Sequence, residues 1–252
     1  AKYVPSELPK SWKVFSSYKA GNIIAFMDNL MNNILYRNRY DELSAHVAVG
    51  LNAQSVFSDY PPEDLVNCDT FAVIDQILIK WLVERLVAED TGAKLDELTI
   101  PQLCDKRSKM HFGAKAESRY QMLSSAYLMI QAGNYLCPDS FKDILRQYQE
   151  TDSGLDYEYR RFYSAYDRIE DPTAFEPLRD LVENIYTNEY LETLLPKWNS
   201  AMQEPDAFTQ LPLQRDFYAR NVKNAKERTV VIISDAMRYE VGKELFRRMQ
   251  DD

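Results

Sequence analysis

Only seven of the 252 residues are glycine, well under half of the ~7% usual in globular chains. Turn-rich β folds and phosphate-cradling loops both need glycine, because a residue without a Cβ takes up positive φ freely and lets backbone approach closely. The chain is therefore expected to be mainly α, and neither a P-loop nor a dinucleotide-binding fold suits it. Hydrophobic residues (45%) and charged residues (27%) occur in ordinary globular proportion, which excludes the disordered class. At about 100–200 residues per domain, the length suits one large domain or two modest ones with a sizeable core.

Thirty Lys and Arg against 39 Asp and Glu leave a net charge of −9. Such a surface is a poor overall match to nucleic acid, whose binding needs clustered cations. The three cysteines, Cys68, Cys104 and Cys137, are widely spaced and form no CxxC. They read as reduced thiols of a cytoplasmic protein rather than as a disulfide framework or zinc knuckle. No stretch reaches the ~18 uninterrupted apolar residues of a membrane span. The nearest, Phe71 to Val87, is broken by Asp75, Gln76, Lys80, Glu84 and Arg85. The chain begins at Ala1 with neither an initiator Met nor a signal peptide, as expected of an internal piece of a longer protein.

Residues 1–21 mix Pro5, Pro9, Trp12 and Phe15 without a helical period and read as an irregular lead-in. Residues 22–212 read as a helical domain, an irregular bundle of unequal helices without a repeat period. Ile23, Phe26, Met27, Leu30 and Ile34 follow the spacing of a one-faced helix. Leu43, Val47 and Leu51 mark a second, from Asp41 to the break at Tyr60-Pro61-Pro62. Cys68-Asp69-Thr70 offers a cap for the most apolar helix, around Phe71 to Val87, where only Gln76, Lys80 and Glu84 form a solvated stripe. A polar loop (Thr91 to Leu98) follows, then a helix from Lys115 to Tyr135. Ser140 to Asp143 has the form of a capping box. Two further helices run through Leu155 to Tyr166 and from Leu178 to a stop near Pro196, before a turn-rich loop, Glu204 to Pro212.

Residues 213–252 differ in texture. A short helix around Arg215 to Val222 precedes Thr229-Val230-Val231-Ile232-Ile233-Ser234, a β-branched run typical of a strand buried on both faces of a parallel sheet. Asp235 follows, then a helix from about Tyr239 to Met249. This is the first β-α unit of an α/β domain, and one strand cannot make a sheet. It is expected to be displaced or to pair with another molecule.

Asp235 is the sharpest chemical signal. A carboxylate just beyond a buried strand points into the crevice where open α/β sheets bind ligands, and suits a divalent cation or a phosphate-bearing site. It is equally placed to cap the following helix. Arg238 could clamp a phosphate, pair with Asp235, or be solvated; Gly242 reads as a packing residue. His46 and His111 lack partners at zinc-site spacings and read as structural or surface residues. The run Lys106 to His111, with Lys115 and Arg119, reads as a solvated face, with duplex DNA contact as the alternative. Tyr157, Tyr159, Phe162, Tyr163 and Tyr166 read as bundle core rather than a base-stacking platform.

The string Val230-Val231-Ile232-Ile233-Ser234-Asp235-Ala236-Met237-Arg238-Tyr239-Glu240-Val241-Gly242-Lys243-Glu244-Leu245 closely resembles the opening of the PglZ domain of bacteriophage-exclusion (BREX) defence systems, within the alkaline phosphatase superfamily. Upstream, Ile79-Lys80-Trp81-Leu82-Val83, Arg107 with His111-Phe112 (where the family often has His-Trp), and Tyr159-Arg160-Arg161-Phe162 resemble the helical region of type-1 BREX PglZ proteins. Val182-Glu183-Asn184-Ile185-Tyr186 and Tyr190-Leu191 with Trp198 continue the match in the same order. The resemblance implies that Asp235 is a ligand to one of two divalent metal ions, zinc being the expected metal; Arg238, from its own position beside it, is the candidate substrate-binding residue. The resemblance places the nucleophile and the other ligands beyond Asp252, so the fragment alone is expected to bind no metal and to be inactive. The metals of such a site lower the nucleophile's pKa and neutralise charge on the transferring phosphoryl oxygens. The implied partners are other BREX proteins, with DNA contact by the assembled complex. The alternative is a non-catalytic helical scaffold or partner-docking module of that complex.

Overall fold

The computed structural model describes residue 5 and residues 7–204, 207–209 and 211–251. The fold is mainly α, its described strands being one short hairpin. The chain divides into two units, residues 1–131 with 160–182, and residues 132–159 with 183–252.

In the first unit a 3-10 turn, Lys10–Phe15, leads to α1 (Ala20–Asn32), α2 (Arg37–Gly50) and α3 (Ala53–Ser58). The helix expected from Asp41 onward is thus broken at Leu51-Asn52. Asn52 takes φ 50°, a left-handed conformation that Asn tolerates better than most residues. The inward face of α2 is Tyr40 and Ser44 rather than Leu43 and Val47, which are 42% and 48% exposed. On α1 only Met31 is buried, while Ile23 and Phe26 face outward.

Next come α4 (Pro62–Leu65), α5 (Ala72–Val87), a hairpin of β1 (Lys94–Leu95) and β2 (Leu98–Thr99), α6 (Ile100–Ser108), α7 (His111–Lys115) and α8 (Glu117–Gln131). α5 buries Ile74, Leu78, Leu82 and Leu86 completely and leaves Gln76, Lys80 and Glu84 exposed, as its periodicity requires. It packs against α8, which also packs on α6. The hairpin occupies most of the stretch expected to be a loop, Thr91 to Leu98, and runs one residue past it. Lys94 pairs with Thr99 and Leu95 with Leu98, and Asp96 and Glu97 both take positive φ, as a tight two-residue hairpin demands. Thr99 then starts α6 through a capping box with Gln102, closing backbone donors that the first turn leaves open.

In the second unit, Ser140 caps α9 (Phe141–Gln147) by accepting from Asp143 N at 3.2 Å, as the capping-box pattern indicates. The helix continues through a π stretch, Tyr148–Asp152, into α10 (Ser153–Tyr166), which crosses the unit boundary. After α11 (Glu176–Asn184), most of which belongs to the first unit, a second π stretch, Ile185–Leu191, runs into α12 (Glu192–Ala201). Pro196 lies inside α12 and does not end it. Phe141, Ile144, Tyr190, Leu194 and Ala201 form the core of this unit. The turn-rich stretch Glu204 to Pro212 lies partly outside the described residues, as do residues 1–4 and 6 of the lead-in. A 3-10 turn (Gln214–Asp216) and a π turn (Tyr218–Val222) precede the last helix, α13 (Tyr239–Asp251).

Candidate functional site

Residues 229–234 form no strand. A strand satisfies its backbone through a neighbour, and the described residues supply none, so the expected β-α unit is present as its helix alone. Ile232 and Ile233 are each 89% exposed, the reverse of the burial their composition demands.

Asp235 and Ala236 occupy a turn, with Ala236 at φ 53°. Ser234, Asp235 and Arg238 are all exposed. Because α13 begins at Tyr239, Arg238 flanks the helix, and its carbonyl accepts from Gly242 N at 3.0 Å. Asp235 stands three residues further back, which removes the geometry of a helix cap. Among the described residues no group of three or more His, Cys, Asp or Glu could hold a metal ion. Asp235 and its neighbours do not fit a two-metal centre on their own. A Cβ at Gly242 would meet only the Met237 side chain, at 3.5 Å, an ordinary contact.

His46 lies on the surface and His111 is structural. His46 Nδ1 bonds with the Glu42 carbonyl at 2.7 Å. His111 Nε2 bonds with Asp41 Oδ1 at 2.6 Å, and its ring lies edge-on to Tyr40. Lys115 bonds the other Asp41 oxygen. Burial alone would raise the Asp41 carboxyl, but the bonds from Lys115 and His111 outweigh it and hold the pKa below its ordinary value.

The largest departure from the sequence reading concerns Arg107. Within the basic run it is fully buried, and so excluded from any surface that could meet DNA. Its Nε and Nη2 donate to the two Asp75 oxygens at 3.0 and 2.8 Å. Nη1 donates to the carbonyls of Cys68 (2.6 Å) and Val66 (3.2 Å), and the Tyr120 hydroxyl donates to Asp75 Oδ1 at 2.6 Å. The guanidinium thus ties α5, α8 and the segment before α5 to α6. Removing one partner of such a pair strands a buried charge, at a cost of about 3–5 kcal/mol. Burial, then the Asp75 charge, pushes the Tyr120 hydroxyl pKa far up, so it stays a donor. No residue of Cys68-Asp69-Thr70, the stretch expected to supply a cap, flanks α5: Phe71 does, with no side-chain cap, and Asp69 instead accepts from His111 N (2.7 Å) and Phe112 N (3.2 Å) at the start of α7. The available signal was Asp75 itself, a carboxylate on the buried face of an apolar helix, which requires a paired cation.

Of the tyrosine set, Phe162 is fully buried and Tyr159 stacks on Tyr186 with ring centres 3.7 Å apart, as packed side chains rather than an open platform. The second unit also holds a cavity of about 460 Å³, lined by five aromatic and five aliphatic side chains together with Gln149 and Asp156.

Comparison with known proteins supplies the affiliation that the local geometry alone does not. The chain is 33% identical to the alkaline phosphatase-like protein PglZ of Bacillus cereus (strain H3081.97), over 95% of this chain and 29% of that protein. It is 27% identical to the alkaline phosphatase-like protein BrxZ of Escherichia coli O9:H4 (strain HS), over 88% of this chain and 28% of that protein. No family model matches, and no solved structure matches. Both relatives are alkaline phosphatase-like proteins by name. Within that class the chain belongs to the PglZ/BrxZ family. It spans less than a third of the length of these relatives.

Proposed function

We propose that this chain is the helical region of a phage-defence PglZ-type protein, joined to the first β-α unit of its metal-dependent phosphatase- or phosphodiesterase-like domain. The observation that carries the reading is the segment 229–251. Five consecutive β-branched residues with no ladder partner among the described residues lead through Asp235 into an intact helix, the layout of a strand that lacks its sheet. In the complete domain Asp235 would supply one carboxylate to a divalent cation, zinc being the expected metal. Arg238, three residues on, would meet a phosphate oxygen. The remaining donors and the nucleophile would come from the part of such proteins that this chain does not span, so the chain alone is expected to hydrolyse nothing. Its surroundings would be cytoplasmic, among other BREX proteins, with DNA contact made by the assembly. No helix is long and apolar enough to cross a membrane among the described residues.

A second reading, a non-catalytic scaffold or docking module, is favoured by the apolar side chains that α1 leaves outward, Ile23 and Phe26 at 58% and 62% exposed. Phage challenge of cells carrying the full defence system, with Asp235→Ala in the full-length protein, separates the two. Loss of protection with normal protein level and complex assembly supports the hydrolase reading; full protection supports the scaffold.

A further inference from the structure

The cavity in the second unit is lined by aromatic and aliphatic side chains in equal number, with Gln149 and one carboxylate. Tyr148, Tyr186, Tyr190, Trp198 and Tyr239 contribute rings, and Asp156 contributes the only charged side chain among the described lining residues. Both π stretches open onto it, Tyr148 from one and Tyr186 and Tyr190 from the other. Such widened turns are frequent at functional sites. The carboxylate is held in place: Tyr148 Oη donates to Asp156 Oδ2 at 2.7 Å and Tyr186 Oη to Oδ1 at 2.8 Å. The rings are locked in turn. Tyr186 is stacked on Tyr159 and packed against Tyr190, and Tyr148 lies against Tyr239 with ring centres 5.8 Å apart. Two neutral donors orient the carboxylate without cancelling its charge, and each oxygen keeps acceptor capacity. The Lys243 ammonium is engaged elsewhere, by Gln149 O at 2.7 Å and Ser153 Oγ at 3.3 Å, and does not line the cavity.

Aromatic faces carry negative quadrupole density and attract cations, most strongly where water is excluded, and quaternary ammonium groups are the ligands such cages take. A cavity of about 460 Å³ falls in the size range of small-molecule sites. We propose that this cavity binds a small organic ammonium ion, with the rings around its alkyl groups and Asp156 opposite its charge. This site is independent of Asp235 and of any phosphatase-like chemistry.

The test is a calorimetric titration of the chain with choline chloride at constant ionic strength, beside its uncharged isostere carrying a tert-butyl group in place of trimethylammonium. The same titration is run on Asp156→Asn, which keeps one of the two acceptor oxygens and removes the charge. Saturable choline binding is expected, with the isostere and the Asp156→Asn variant each weaker by about tenfold. Absence of saturable binding, an isostere that binds as tightly as choline, or an unchanged affinity in a folded Asp156→Asn chain would overturn the proposal. The isostere comparison uses the unaltered chain and stands even if the variant does not fold.

Discussion

At the Arg107 turn, α7 approaches α6 so closely that only glycine fits. A Cβ on Gly113 would lie 1.8 Å from the Arg107 carbonyl oxygen, a clash with backbone that no rotamer relieves. Gly113→Ala is expected to lose at least about 3 kcal/mol of stability, and Gly21→Ala, with nothing within 4 Å of the added carbon, to lose none, since Ala is the better helix former. Urea unfolding of the two variants measures this; equal midpoints would show that α7 does not rest on α6. The sequence could not single out Gly113, because close approach is a property of two elements that meet through tertiary packing. Arg107 and Asp69 escaped for a related reason. A charged side chain in a polar run looks solvated until its partner, 32 residues away in the case of Asp75 and Arg107, is brought alongside.

Elements whose burial is decided by their own periodicity could be read directly. The solvated stripe of α5 and the Ser140 cap of α9 are local patterns, and both stand as the sequence indicates. Boundaries set by backbone geometry could not. The left-handed Asn52, the Asp96-Glu97 turn and the passage of α12 through Pro196 are backbone conformations that the hydrophobic pattern does not register. The segment 230–233 is the opposite case. Its composition states strongly what it wants, and the chain does not provide it. Backbone amides there are expected to exchange with solvent deuterium almost unprotected, while those of α5 exchange only with global unfolding. Slow exchange at Val231 to Ile233 would mean that the strand is already paired, within the chain or between copies, and would contradict an exposed segment without a ladder.

Across the whole molecule, the three cysteines are free and buried, which sets an alkaline limit on stability. Burial pushes the Cys68 thiol up to about 11 and the Cys104 thiol to about 12, from an ordinary 9.0. The folded state therefore keeps protons that the unfolded chain gives up, and the stabilisation is complete below pH ~9 and lost as pH rises toward ~12. Urea midpoints should hold steady up to about pH 9 and fall above it, and Ellman's reagent should react with the native thiols only as fast as the protein opens. Rapid stoichiometric labelling at neutral pH would contradict the burial.

The central claim is that Asp235 belongs to a metal-dependent phosphatase-like site completed by sequence this chain does not span. Metal content tests it most directly, compared between a full-length PglZ-type protein carrying this sequence and its Asp235→Ala form, with phosphodiester hydrolysis followed in parallel. Loss of about one metal equivalent per chain together with the activity, with the fold intact, is the predicted result. Unchanged metal content and unchanged hydrolysis would contradict the account and leave the helical scaffold in its place.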